Sequence, residues 1–227
     1  MIAPIAIPPE MSFISPWQIA TWDDYVRLQE QVEQHWSTDR SKRWRVIFNQ
    51  GWVWVKDMSG EGVVHAKVNN LFTLIIGLWF MVHSEKIAES LGGCILEKQG
   101  LQSASPDLVL YIGENAPKWQ EGEPRRVNLN QWRVPDLVGE IADTTLAIDL
   151  DEMKQLYAAL GVPEYWVIDA KGGRVLIFQL QETGRYIQVF ESLVLVGLQT
   201  ELLELALQQM QQGTNISAAN WFMERIK

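Results

Sequence analysis

The chain has little cysteine, and this limits the kinds of site it can hold. Its 227 residues include one cysteine, Cys94. A single thiol cannot form an internal disulfide and has no partners for a cysteine-ligated zinc site. Because nothing in the cysteine content requires an oxidising compartment, we expect a cytoplasmic protein.

Long hydrophobic runs are also lacking. The most apolar run, residues 71–82, is shorter than the roughly 20 residues needed to cross a bilayer, so it predicts a buried helix and no membrane association. The first 17 residues contain four prolines and no basic stretch, which does not fit a signal peptide.

Several motifs that define large enzyme classes are absent. There is no Gly-rich phosphate loop, no GxSxG elbow and no CxxC pair. The P-loop NTPase, α/β-hydrolase and thioredoxin classes therefore find no support in the sequence.

Net positive charge is lacking as well, since the formal net charge is −9. This argues against a broad electropositive surface that binds nucleic acid. Two basic clusters remain, one at residues 40–45 (Arg40, Lys42, Arg43, Arg45) and one at residues 118–133 (Lys118, Arg125, Arg126, Arg133). They are compatible with local nucleic-acid contacts or with solvated loops.

The composition is that of an ordinary globular protein, with 47% hydrophobic and 21% charged residues. The mixture of predicted helices and strands corresponds to the α/β (α+β) class. We expect an irregular arm over 1–20 and one domain over 21–227, with its core at about 63–190. Hydrophobic periodicity predicts helices at 22–36, at 63–83, from about 201 and from about 217. It also predicts a hairpin over 43–56 that turns at 49–51, and an exposed excursion over 113–133. Further strands are predicted at 94–97, 107–112, 136–141, 164–169, 174–180 and 186–190.

A further helix is predicted from its ends, over 149–160. Asp149 is placed as the N-cap, and Glu152 completes a capping box three residues later. Gly161 fits the left-handed position after the helix, and Pro163 prevents its continuation.

Two predicted strands each carry an acid among apolar residues, Asp107 in SPDLVLYI and Glu140 in PDLVGEIA. A buried carboxylate has to be paired, protonated or bound to a cation. Acids on neighbouring strands and the same face could share one divalent ion. The alternative is that each acid makes a cap or turn contact at a strand end.

Other polar residues fall near these acids in the predicted fold. Lys154, Tyr157 and Asp151 share one face of the predicted helix, so Lys154 could reach the acids or pair with Asp151 at the surface. His65, near the start of the long helix, could line a groove or be a structural histidine.

The segments SPDLVLYI and DLVGEIADTTLAIDLDEMKQLYAALGVPEYWVID resemble the Uma-type family of predicted restriction endonucleases, which are abundant in cyanobacteria. The likeness is close over 105–169 and looser over the hairpin and VVHAKVNNLF. It implies the PD-(D/E)XK superfamily, with a restriction-endonuclease-like mixed four-stranded sheet flanked by helices.

The resemblance implies that Asp107 and Glu140 bind the metal and that Lys154 is the active-site lysine. The superfamily's E-x-K spacing is not kept, because Ala142 stands two residues after Glu140. Family members also carry a glutamate just before the hairpin glycine, where this chain has Asn49 and Gln50. That loss is compatible with weaker activity or an inactive copy.

The resulting hypothesis is an endonuclease that uses Mg²⁺, or Mn²⁺, to hydrolyse phosphodiester bonds of DNA. Asp107, Glu140 and Lys154 are the candidate catalytic residues, and Tyr157, Asp149 and His65 are candidates for supporting them. The alternatives are an inactive nuclease fold used for DNA binding or assembly, and a hydrolase of another phosphoester. A homodimer would let two sites cut two strands.

Overall fold

A computed structural model describes residues 17–38, 44–58, 62–124 and 126–227. The chain forms two compact units. The first unit comprises the described residues within Met1–Glu61, Ile95–Ser105 and Pro124–Gln131, and the second comprises Gly62–Cys94, Pro106–Glu123 and Trp132–Lys227. One domain over 21–227 stays a prediction of the sequence.

Helices and strands alternate irregularly along the chain, as in a mixed α+β protein. The helical segments are α1 (Trp22–Thr38), α2 (Val63–Val82), α3 (Leu146–Ile148), α4 (Lys154–Leu160), α5 (Thr200–Gln212) and α6 (Asn215–Met223), and a π-helical turn (Asp149–Met153) joins α3 to α4. The strands are β1 (Trp17–Ile19), β2 (Trp44–Asn49), β3 (Trp52–Asp57), β4 (Ala88–Leu91), β5 (Ile95–Lys98), β6 (Gln102–Ala104), β7 (Leu108–Ile112), β8 (Arg126–Asn128), β9 (Leu137–Ala142), β10 (Glu164–Asp169), β11 (Arg174–Leu180) and β12 (Tyr186–Val189).

The first unit is a sheet with the strand order β1-β3-β2-β6-β5-β8 and helix α1 packed on it. Tyr25 and Leu28 of α1 are buried against Phe48 and Val53 of the hairpin strands. The predicted helix at 22–36 is confirmed, and it extends two residues further, to Thr38.

The predicted hairpin is confirmed as β2 and β3. Its turn places Gln50 at φ 46° and Gly51 at φ 92°. Two consecutive left-handed residues are typical of the tight two-residue turn whose twist matches a hairpin, and glycine adopts this conformation without steric cost.

The predicted irregular arm over 1–20 is wrong at its end. Trp17–Ile19 form strand β1, which pairs antiparallel with β3. The open edge of the hairpin supplies backbone partners that a reading of local sequence does not reveal. Residues 1–16 lie outside the described residues.

The basic clusters fall partly on described residues. Arg40, Lys42, Arg43 and Arg125 lie outside them. Arg126 donates to Glu97 at 2.9 Å within the first unit. Burial opposes the charge of Arg126, but Glu97 raises its pKa above the ordinary value. Arg126 is therefore engaged in an internal ion pair.

The second unit contains a sheet with the strand order β12-β11-β10-β9-β7-β4. Its strand pairs are antiparallel except for β9 and β10, which run parallel. One face packs against α2, α5 and α6, with Leu137, Ile141, Trp166 and Ile168 pointing into that core. Since side chains alternate along a strand, Glu140 and Tyr165 lie on the opposite face.

Helix α2 confirms the prediction of a long apolar helix at 63–83. Its buried residues include Val68, Phe72 and Ile75, which belong to the main core of the second unit. By length and composition alone, α2 could also cross a membrane. A core helix of a soluble protein passes the same test, and its packing on the sheet accounts for its apolar character.

The helix predicted at 149–160 begins earlier, and its predicted N-cap is wrong. The helical backbone starts at Leu146, and Asp149 has helical angles of φ −67° and ψ −33°. Neither the start of the π-helical turn nor the start of α4 shows a side-chain cap. The predicted end is confirmed, because Gly161 has φ +83° and its N–H bonds to the carbonyls of Ala158 and Tyr157.

The remaining strand predictions are close to the observed bounds. The strands predicted at 164–169 and 174–180 match β10 and β11 at both ends. The predicted excursion over 113–133 contains β8, which pairs in parallel with β5. Short strands such as β8 depend on distant partners and carry little local signal.

Candidate active site

Asp107 and Glu140 face each other across two strands of the second unit. In the antiparallel pair β7–β9, Leu108 lies opposite Gly139. Continuing this register by one residue sets Asp107, which directly precedes β7, opposite Glu140. Directly opposed residues share a face and have Cβ atoms about 4.5–5.5 Å apart. The two acids are 3% and 4% exposed, so they form a buried pair of carboxylates.

Asp107 is held by the backbone and by a histidine. Its Oδ2 accepts a hydrogen bond from the N–H of Ile141 at 2.9 Å. The same oxygen lies 3.1 Å from Nε2 of His65. His65 is in the first turn of α2 and is itself buried. His65, for which the sequence left open a groove-lining or a structural role, therefore contacts one of the two predicted acids.

Glu140 is held by Tyr157 of α4. The tyrosine hydroxyl donates to Glu140 Oε1 at 2.5 Å. Burial, and then the charge of Glu140, raise the pKa of Tyr157 well above its ordinary value. The charge of Asp107 acts in the same direction. Tyr157 therefore keeps its proton and serves as a donor beside both carboxylates.

Lys154 lies on the same helix, and its ammonium contacts the ring of Phe178. Its Nζ is 4.6 Å from the centre of the Phe178 ring. Asp151, the alternative partner considered for Lys154, accepts a hydrogen bond from Gln155 at 2.6 Å. The structure thus brings Lys154 to the aromatic side chains beside the site, where its flexible four-carbon stem permits other positions.

Asp149 is buried in the π-helical turn that precedes Lys154. Its Oδ2 accepts a hydrogen bond from Thr145 at 2.6 Å. Its backbone carbonyl accepts one from the hydroxyl of Tyr165 at 2.9 Å. Burial and the charges of Glu140, Asp149 and Asp107 raise the pKa of Tyr165 well above its ordinary value. Asp149 therefore belongs to the same polar cluster as the two acids.

Sequence reasoning missed Tyr165 and Thr145. The alternation of side chains between the two faces of β10 could have identified Tyr165. Tyr165 is two residues from Val167 and shares its face, and Val167 lies beside Glu140 in the parallel pair. Thr145 had no comparable signal, since its role depends on the helix starting before Asp149. π-helical turns are frequent at functional sites, and this one was not predicted.

The donor chemistry of the acid pair fits one hard divalent cation. Magnesium is commonly held by one or two protein carboxylates and completes its shell with water or phosphate oxygens. Among the described residues, no group of three or more His, Cys, Asp or Glu side chains is arranged to hold a metal ion. Within the described part of the chain, the acid pair therefore fits a cation that takes its remaining ligands from solvent or substrate.

The fold is that of a nuclease-like protein. A solved structure from Anabaena variabilis ATCC 29413, described as "a putative nuclease belonging to DUF820", matches with a TM-score of 0.50 and 16% sequence identity. The match covers 89% of this chain and 98% of that chain. At this identity, the likeness shows the fold alone.

A family model identifies the group more closely. Residues 22–217 match the Uma2 family, described as "Putative restriction endonuclease". The chain belongs to this family, as the sequence resemblance predicted. A comparison with curated proteins finds no match.

Proposed function

We propose that the protein is a metal-dependent endonuclease that hydrolyses phosphodiester bonds of DNA. The observation that carries the proposal is the buried, directly opposed pair of Asp107 and Glu140. Membership in a restriction-endonuclease family supports nucleic acid as the substrate. Two carboxylates this close and this buried are costly without a cation, which supports a metal-binding role.

Asp107 and Glu140 would hold the cation, Mg²⁺ or its substitute Mn²⁺, together with a backbone carbonyl and water. When bound, such an ion lowers the pKa of a coordinated water and neutralises charge on the scissile phosphate. The N–H of Ile141 and the imidazole of His65 restrain Asp107. In this scheme, Asp149 supports the helix that carries Lys154.

Lys154 would act on the attacking water or on the phosphate. Its ammonium can orient the water by hydrogen bonding, or it can stabilise the negative charge that develops on the phosphoryl oxygens. Either role requires the side chain to leave the ring of Phe178, a contact that costs about 0.5–2 kcal/mol to give up. Phosphate oxygens are stronger partners for an ammonium than an aromatic ring is.

Thermal unfolding with EDTA, Mg²⁺ or Mn²⁺ tests the metal site. A ligand present at one hundred times its Kd stabilises the folded state by about 2.7 kcal/mol. For a chain of this length, that raises the midpoint by about 5–10 °C. Asp107→Ala should lose the rise, whereas the control Glu164→Gln, a buried acid on the opposite face of the same sheet, should keep it.

Cleavage of plasmid DNA tests the chemistry. Glu140→Gln keeps the size of the side chain and an acceptor for Tyr157, so the fold should be retained and cleavage abolished. Retained cleavage by Glu140→Gln would exclude this site as the catalytic centre.

The second candidate is an inactive nuclease fold that binds DNA or assembles with itself. Two observations favour it: the net charge of −9, and Asn49 and Gln50 in place of a glutamate before the hairpin glycine. For this candidate, neither the wild type nor Asp107→Ala shows a metal-dependent rise in the unfolding midpoint.

A further inference from the structure

We propose that Tyr157 is the positioning residue for Glu140, and that its hydroxyl fixes the carboxylate in the orientation that receives the cation. The inference rests on the proposed function for the identity of the ligand. It assigns to Tyr157 a defined task that is distinct from that of Lys154.

Glu140 needs such a restraint because of its length. A glutamate side chain has three rotatable bonds, so its carboxylate can take several positions unless a contact selects one of them. Asp107 is shorter and is already restrained by the N–H of Ile141 and by His65. The corresponding restraint on Glu140 comes from the hydroxyl of Tyr157, 2.5 Å from Oε1. This distance is typical of a strong hydrogen bond to an ionised carboxylate.

Tyr157 can hold Glu140 in place because it is itself fixed. Its side chain is fully buried, and its ring centre lies 5.0 Å from that of Tyr165. Tyr165 in turn donates to the carbonyl of Asp149 in the π-helical turn. The two tyrosines therefore connect the carboxylate to the helix and to strand β10.

The π-helical turn determines which side chain of α4 meets Glu140. Such a turn inserts an additional residue into the helical repeat, so the residues after it face other directions than in a regular helix. With the turn at Asp149–Met153, Tyr157 meets Glu140 while Lys154 lies over Phe178. Tyr157 thus donates to Glu140, while the ammonium of Lys154 lies at a different contact.

Calorimetric titration of EDTA-treated protein with Mn²⁺ tests the inference without any turnover. Loss of a group that orients a metal ligand lowers metal affinity by about 10–100-fold, and Tyr157→Phe should show that loss. The matched control is Tyr186→Phe, which removes a hydroxyl bonded to the carbonyl of Val162 at 2.6 Å. The control should bind Mn²⁺ within about twofold of wild type, because its partner is not a metal ligand.

Two results of the titration overturn the inference. One is wild-type affinity in Tyr157→Phe. The other is a wild-type protein that binds no Mn²⁺ at all, which removes the cation site as well. A wild type that binds Mn²⁺ but leaves DNA intact overturns the proposed function alone, and the titration of Tyr157→Phe still decides the role of the tyrosine.

Kinetics give a second readout where cleavage is present. Tyr157→Phe should lower kcat at saturating Mn²⁺ while KM for DNA stays within about threefold of wild type, since uniform substrate binding is untouched. A rise in KM with unchanged kcat would overturn the inference, because it would place Tyr157 in DNA binding.

Thermal unfolding without metal tests the hydrogen bond between Tyr157 and Glu140 directly. It also gives a result if Tyr157→Phe is too unstable for the titration. Tyr157→Phe should lower the midpoint in the wild-type background. In the Glu140→Leu background, the hydroxyl has lost its acceptor, so the same substitution should leave the midpoint unchanged or raise it. An equal drop in both backgrounds would show that Tyr157 acts on packing alone and would overturn the inference.

Discussion

Asp107 and Glu140 oppose each other across β7 and β9, with both carboxylates almost fully buried on one face of the sheet. Two buried carboxylates on one face are costly when no cation lies between them. We therefore expect the acid pair to lower the stability of the metal-free protein, while it allows a cation to bind.

The first prediction follows from this opposition. In EDTA, Glu140→Gln should unfold at the same free energy as wild type or be more stable by up to about 2 kcal/mol, because one buried charge is removed and Tyr157 keeps an acceptor. Urea denaturation at pH 7 measures the difference. A loss of more than about 2 kcal/mol would mean that the charge of Glu140 is needed for folding, which is the mark of a structural ion pair.

The second prediction concerns two buried tyrosines with different hydroxyl environments. Tyr165 donates to the carbonyl of Asp149, whereas the hydroxyl of Tyr111 has no hydrogen-bond partner among the described residues. Tyr165→Phe should lower the free energy of unfolding by about 1–2 kcal/mol, because it removes a buried hydrogen bond. Tyr111→Phe should be neutral or stabilising, since it removes a buried polar atom that gains nothing from the protein.

Urea denaturation of the two variants beside wild type checks the pair. Each variant deletes one oxygen from a buried tyrosine, so the two match in volume and shape. If both variants lost the same free energy of unfolding, the hydrogen bond from the Tyr165 hydroxyl to the carbonyl of Asp149 would not be the source of the loss.

Much of the fold could be predicted because its signals are local. Gly161 and Pro163 mark the end of α4 through backbone chemistry that depends on few neighbours. The bounds of β10 and β11 follow from continuous apolar runs between turn residues. The acids were identifiable for a similar reason, since a carboxylate within such a run needs a special environment.

The rest depends on contacts that are distant in sequence. The start of the helix at Leu146 was missed because Asp149 is a good N-cap locally, while the folded chain buries it in the helix interior. That Asp107 lies opposite Glu140 depends on strand register, and register is set by pairing partners. The position of Lys154 over Phe178 required knowledge of the π-helical turn and of β11.

The third prediction addresses Lys154. Lys154→Met keeps the aliphatic stem and loses only an ammonium over Phe178, so the free energy of unfolding should change by no more than about 2 kcal/mol. DNA cleavage should fall by about 10²–10³-fold in kcat, the typical cost of removing one donor to the transition state. Affinity for Mn²⁺ should not fall, because an ammonium is not a metal ligand.

Lys86→Met is the matched control for this variant. Lys86 is exposed and follows the C-terminal end of α2, while His65 at the other end of that helix contacts Asp107. A helix of this length spans about 30 Å, so the control changes the same charge far from the acids. Cleavage by Lys154→Met at the rate of Lys86→Met would remove the lysine from the mechanism.

The last prediction concerns a second buried acid, Glu164, on the opposite face of the sheet from Glu140. Its Oε1 accepts from Trp166 and Ser192, and its Oε2 accepts from the backbone N–H groups of Leu193 and Val194. Glu164 thereby ties the segment after β12 to the start of β10. In Glu164→Gln, an amide NH₂ replaces one acceptor oxygen and faces donors, so the variant should be less stable by about 1–3 kcal/mol.

The pH dependence of this loss has a definite sign. Burial raises the pKa of Glu164 above its ordinary value of 4.5, although the hydrogen bonds from Ser192, Trp166, Leu193 and Val194 oppose the rise. A carboxyl whose folded pKa lies above its unfolded pKa stabilises the fold fully below the unfolded value, and this contribution is lost as pH rises through the folded pKa. The difference in free energy of unfolding between wild type and Glu164→Gln should therefore be larger below pH 4.5 than at pH 7.

Urea denaturation of both proteins between pH 4 and pH 8 gives this difference and cancels the titration of all other groups. A difference that grows with pH would mean that the four donors outweigh burial and that Glu164 is held as a structural anion.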